Sequence, residues 1–114
     1  DIMISDWSGA ALEFAFAFEK PILYIDVPKK NHNSDFEKIP EIPIEISIRE
    51  KIGKIISPSK IKSIPNEIEK LKQQSPEIKK EIKKIRENKI FNIRNSKKIA
   101  AEQIIKLLDE LKNK

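Results

Sequence analysis

Ile2-Met3-Ile4-Ser5-Asp6-Trp7-Ser8-Gly9-Ala10-Ala11-Leu12-Glu13-Phe14-Ala15-Phe16-Ala17-Phe18-Glu19-Lys20-Pro21-Ile22-Leu23-Tyr24-Ile25-Asp26 is the stretch whose pattern decides the fold. It divides into an apolar run at 2–4, a polar turn at 5–9, an apolar stretch from Ala10 to Glu19, a Lys-Pro stop and a second apolar run at 22–25. Short unbroken apolar runs are the signature of strands covered on both faces. In the middle stretch Ala11, Leu12, Ala15, Phe16 and Phe18 leave little polar surface, which predicts a helix buried on most sides. Asp6 or Ser8 is placed to cap that helix by accepting from its free N–H groups. Lys20-Pro21 stops it, because proline supplies no N–H to continue the ladder. Strand, tight turn, buried helix, short loop and strand form a βαβ unit, whose crossover is right-handed and whose strands are parallel.

Outward from this unit, Val27 to Pro43 reads as a loop, with Pro28, Pro40 and Pro43 around the polar stretch Asn31-His32-Asn33-Ser34-Asp35. Ile44 to Ile48 alternates, as a short strand or as the run-in to a helical turn at Arg49-Glu50-Lys51 that Gly53 ends. Ile55-Ile56 reads as a third short strand. Three helices are expected after it. One has Pro65 in its first turn and Ile64, Ile68 and Leu71 at helical spacing. Ser75-Pro76-Glu77 starts another, since proline is tolerated at the first helical position, and Ile78, Ile82 and Ile85 form its stripe. Ser96 caps the last, whose face is Ala100, Ile104, Leu107, Leu108 and Leu111. The expected fold class is α/β: a partial Rossmann-like parallel sheet at 1–57, followed by three C-terminal helices at 58–114 in the same domain.

Composition narrows the chemistry. The 114 residues are one domain's worth, with 39% hydrophobic and 36% charged residues, so the core is modest. Opening inside an apolar run, the sequence reads as a segment of a longer protein. There are no cysteines, which excludes disulfides and Cys-ligated zinc, and the single histidine argues against a His-based metal site or a Ser-His-Asp triad. No apolar run is long enough to span a bilayer. The net charge of +5 is mild, and the dominance of Ile and Lys reads as an AT-rich bacterial genome more than as a nucleic-acid binder. No aromatic residues interleave with the lysines at 62–89, as single-strand binding prefers.

The candidate site is Ser5 to Glu13. A turn after a parallel strand puts the next helix's N-terminus at the carboxyl edge of the sheet, where open α/β folds bind ligands. Free N–H groups of Ser8, Gly9 and Ala10, with the helix dipole, favour an anion such as phosphate there. Gly9 lets backbone come close, Ser5 and Ser8 offer hydroxyls, and Glu13 is within reach of a ribose hydroxyl; the structural alternative is that Ser8 only caps and Glu13 is solvated. Trp7 either stacks on a base or packs. Asp26 ends a strand at the same edge, touching ligand or forming the turn. His32 is a surface residue or an acid at the cleft edge, and Lys29-Lys30 is a solvated loop or a phosphate attractor.

The run from Asp1 to Phe16 and the run Lys20-Pro21-Ile22-Leu23-Tyr24-Ile25-Asp26 together resemble the C-terminal part of CDP-glycerol glycerophosphotransferase-like proteins. Those proteins carry a strand, Ser-Asp-aromatic-Ser, a helix with an acidic residue followed by an aromatic, then Lys-Pro and an apolar strand. UDP-sugar and sialic-acid-type epimerases show a related pattern. The likeness covers residues 1 to about 30 and is weaker through Phe91-Asn92-Ile93-Arg94-Asn95-Ser96, where Arg94 or Asn95 stands in place of an expected glycine. The resemblance implies a GT-B architecture whose C-terminal domain holds a CDP-alditol or nucleotide-sugar, and whose N-terminal domain, outside this chain, holds the acceptor and part of the catalytic machinery. It places Ser8 and Gly9 on the diphosphate and Glu13 on the ribose, has Ser5 and Asp6 shape the turn, and requires no cofactor. It implies a bacterial cell-wall or surface-polysaccharide enzyme in the cytoplasm, at the inner face of the membrane with peripheral contact. Two other readings stand beside it: a non-catalytic interaction module with a basic helical tail, and the remnant of a UDP-sugar epimerase.

Overall fold

The computed structural model describes residues 1–29, 33 and 35–113. His32 and Lys30, weighed above, lie outside the described residues. The chain forms two compact units, Asp1–Lys84 and Ile85–Lys114.

The first unit is an α/β fold on a three-stranded parallel sheet. Strand β1 (Met3–Ser5) pairs with β2 (Ile22–Ile25) in the register Met3 to Ile22, and β2 pairs with β3 (Gly53–Ile56) in the register Ile22 to Gly53. β2 is central, and Ile22, Leu23 and Tyr24 are all buried, which is why its sequence does not alternate. Helix α1 (Ala10–Phe18) makes the crossover from β1 to β2. The third expected strand begins two residues earlier than its apolar pair suggests, because Gly53 is itself in the ladder. A Cβ on Gly53 would overlap the Ile22 carbonyl oxygen and stand 2.8 Å from its carbon. Gly53 follows the last helical residue of the Arg49–Ile52 turn, as expected, and what requires glycine there is close strand approach, since its φ of −177° is ordinary extended backbone.

α1 departs from expectation. Only Ala11 and Ala15 are buried, and Phe18 is 63% exposed. Two alanines a turn apart give a narrow flat face that lies close to its neighbours, while the rings of the half-buried Phe14 and the exposed Phe18 meet at a tilt of 49°, centroids 5.2 Å apart. The helix ends at Glu19, which takes a left-handed φ of 54° and closes the last turn by donating its N–H to Ala15. Its carboxylate lies 3.4 Å from Lys79 and 3.6 Å from Lys83.

Two short helices follow, α2 (Ile44–Ser47) and α3 (Arg49–Ile52), joined at Ile48; Ile48, Arg49 and Ile52 are buried. A 3-10 segment at Pro58–Ser63 leads into α4 (Ile64–Lys89). Two of the three expected helices are thus one, running through Pro76 without a break. Ile64, Ile68, Leu71, Ile78, Ile82 and Ile85 are spaced 4, 3, 7, 4 and 3 residues apart, so the apolar seam keeps phase across the proline. Leu71 packs with Leu23 and Ile56, joined by Ile2, Ile25, Ile64, Ile68 and Ile78. Tyr24 points to the opposite face from Leu23, by the alternation of a strand, and shares a cavity wall with Leu12 of α1. Helices therefore cover both faces, as a parallel sheet requires. α4 also pairs lysine with glutamate along its length, Lys70 with the largely buried Glu67 beside Leu71 and Lys72 with the exposed Glu69, each at 2.7 Å. The Lys70 hydrogen bond holds the Glu67 carboxyl below its usual range.

In the second unit, the end of α4 is followed by a turn in which Asn92 (φ 56°) and Arg94 (φ 68°) are left-handed. Arg94 stands in the conformation glycine favours. Helix α5 (Ser96–Lys112) follows with Asn95 at its cap position, so Ser96 is the first helical residue and not the cap. No residue of α5 is buried.

Candidate functional site

The carboxyl ends of β1 and β2 meet α3 at one edge of the sheet. The turn after β1 is fastened across to the segment after β2 by the Trp7 indole, which donates to the Val27 carbonyl at 2.8 Å. The indole ring then carries a cation. Arg49 from α3 lies with its guanidinium carbon 3.7 Å from the Trp7 centroid and 4.7 Å from that of Tyr24. Lys29 Nζ lies 5.5 Å from the same indole. Stacking a guanidinium on aromatic faces is favourable when the group is desolvated, and Arg49 is only 4% exposed. Its Nη1 donates to Asp26 Oδ1 at 3.2 Å. Its Nε and Nη2 have no partner among the described residues, and neither has the Tyr24 hydroxyl. Burial pushes the Tyr24 phenol up to about 12 against the lowering effect of Arg49, so it is a hydrogen-bond donor at neutral pH. Tyr24 and Arg49 share a cavity of about 10 Å³ with Asp6, Trp7, Ser8, Leu12 and Glu45.

The sequence-predicted residues are distributed around this cavity. Asp6 and Ser8 line it; Ser5, Gly9, Ala10 and Glu13 do not. Three free N–H groups were expected at the start of α1, and two of them are already engaged. Asp6 Oδ1 accepts from Ser8 N at 3.0 Å, and Ser8 Oγ accepts from Ala10 N at 3.3 Å. Short polar side chains that reach their own backbone two residues on compete with any ligand for those donors. The Gly9 N–H remains without a partner among the described residues, its carbonyl accepting from Leu12 and Glu13. Glu13 is exposed one turn into the helix. Trp7 packs and does not present a free face to both sides, and Asp26 serves Arg49.

Arg49 and Tyr24 are the residues the sequence reading missed. One signal was available: only three of the 23 basic residues are arginine, and one of those three sits between the apolar Ile48 and Ile52. Among the described residues no cluster of His, Cys, Asp and Glu could hold a metal ion, and no helix is long and apolar enough to cross a membrane. No known protein family, curated protein or solved structure matches the chain.

Proposed function

We propose that the chain binds the activated donor, a nucleotide-diphosphate sugar or alditol such as CDP-glycerol, for a GT-B transferase that builds a bacterial surface polymer. The observation that carries this reading is Gly9. It sits at the carboxyl edge of a parallel sheet and at the start of a helix, and its φ of −60° is one any residue adopts. A Cβ there would meet nothing within 4 Å. Neither backbone conformation nor packing calls for glycine, whereas an approaching phosphate does. A transferase of this kind works by aiming fixed donors at the leaving diphosphate, with acceptor and base supplied by a second domain. On this reading the place of work is the cytoplasm, at the inner face of the bacterial membrane.

The test is Gly9→Ala. The variant keeps the thermal midpoint of the parent, and its affinity for CDP-glycerol, followed by amide shifts at Ser8, Gly9 and Ala10, falls at least tenfold. Equal affinity in parent and variant refutes the reading. CDP against UDP as ligand separates a glycerophosphotransferase-like donor site from an epimerase-like one.

A non-catalytic interaction module is the second reading. It is favoured by the engagement of the Ser8 and Ala10 N–H groups within the turn, and by the apolar stripe of α5, where Ile104, Leu107, Leu108 and Leu111 are each at least half exposed.

A further inference from the structure

Three buried donors, Arg49 Nε, Arg49 Nη2 and the Tyr24 hydroxyl, lack partners among the described residues. Native proteins rarely leave such groups unsatisfied, because the lost hydration is not returned. The two side chains, 4% and 2% exposed, wall the cavity that Asp6, Ser8 and Glu45 also line, beside the start of α1. We infer that this cavity is the subsite for one hydroxyl group of a polyhydroxylated ligand, a ribose or an alditol, with Arg49 and Tyr24 donating to its oxygen and Asp6 or Glu45 accepting from its O–H.

Size, charge and valence agree on this group. A volume of about 10 Å³ is on the order of what a single oxygen occupies, and is too small for a phosphoryl group. The Arg49 charge is already shared with Asp26, and two further carboxylates on the wall repel an anionic oxygen. A neutral hydroxyl reverses that relation, since it accepts twice and donates once. It therefore meets two of the three buried donors and one of the carboxylates at once, which phosphate does not. The inference rests on the donor-site reading only in placing the phosphate of the same ligand at Gly9.

The experiment is a titration of the whole chain with ribose, ribose 5-phosphate and inorganic phosphate, following the Arg49 Nε–H resonance and the Gly9 amide. Ribose and ribose 5-phosphate are expected to move Arg49 Nε–H, and inorganic phosphate to leave it in place. Tyr24→Phe, which keeps the ring between strand and guanidinium, is expected to weaken ribose 5-phosphate about fivefold to tenfold, the worth of one hydrogen bond, with phosphate affinity unchanged. Movement of Arg49 Nε–H by phosphate alone would make the pocket an anion site and overturn the inference. Movement of Gly9 without Arg49 would also overturn it, leaving an ordered water in the cavity and the donor-site reading intact. Movement of Arg49 by ribose, with Gly9 silent to both phosphates, sustains the inference and removes the donor-site reading.

Discussion

Tyr24 is the only tyrosine, so its ionisation can be followed without overlap. In the unfolded chain a phenol loses its proton near pH 10; in the folded chain burial holds that proton to about 12. Between those values the native state binds more protons than the unfolded state, so stability must fall as pH rises. The contribution is fully present below pH 10 and is lost through about 12, on the order of 2 kcal/mol across the window. Urea unfolding at intervals through this range is expected to show that slope in the parent and a shallower one in Tyr24→Phe. Phenolate absorbance in the folded parent should appear only near the upper limit. Phenolate appearing near pH 10 in folded protein would mean that the hydroxyl is hydrated. Tyr24 also shows how a site residue escapes a sequence reading. Within Ile22-Leu23-Tyr24-Ile25 it is one more apolar strand residue, and its hydroxyl acquires meaning only when Arg49, 25 positions later, is folded over it. The local turn chemistry of Asp6 and Ser8 was legible because both partners lie within a few residues. The pairing of Tyr24 with Arg49 was not, because it depends on where α3 docks.

At the scale of elements, the βαβ unit could be read directly, since the apolar runs of its strands are unbroken; β2 is buried as such a run predicts, whereas β1 lies at the sheet edge with Ile4 47% exposed. The fusion of two expected helices into α4 could not be read from local rules. Proline at a helix start and proline inside a helix present the same dipeptide, and the rule that favours the start is the stronger local one. Phase decides it: Leu71 and Ile78 are seven residues apart and lie on one face, so a single straight helix buries both. Pro76 is exposed and off that seam. It deprives the Lys72 carbonyl of its intrahelical donor and crowds the turn before it. Pro76→Ala restores that hydrogen bond without touching the core, and is expected to stabilise the chain by roughly 2 kcal/mol. Urea unfolding followed by circular dichroism measures it. An unchanged midpoint would show that the helix is already broken at 76 in solution, as two separate helices would require.

At the scale of the molecule, the two units differ in how their secondary structure is held. In Asp1–Lys84 the backbone hydrogen bonds of β2 and of the middle of α4 lie beneath buried side chains, Ile22, Leu23, Leu71 and Ile82 among them. Opening them exposes the whole core, so their amides exchange only on global unfolding. In Ile85–Lys114, α5 has 17 residues and buries none of them. An isolated helix of that length is marginal in water, because nucleation is costly and only packing of an apolar face offsets it. The amides of residues 100–111 are therefore expected to exchange at least 100-fold faster than those of residues 78–82, although both segments have good helix formers. Hydrogen exchange of the free chain at neutral pH makes the comparison within one sample. The stripe of Ile104, Leu107, Leu108 and Leu111 gives the measurement a second use. If those amides become protected on addition of another component, that component covers the stripe. If they are protected to the level of α4 in dilute free chain, the helix is packed in solution, and its exposure in Ile85–Lys114 is not its resting state.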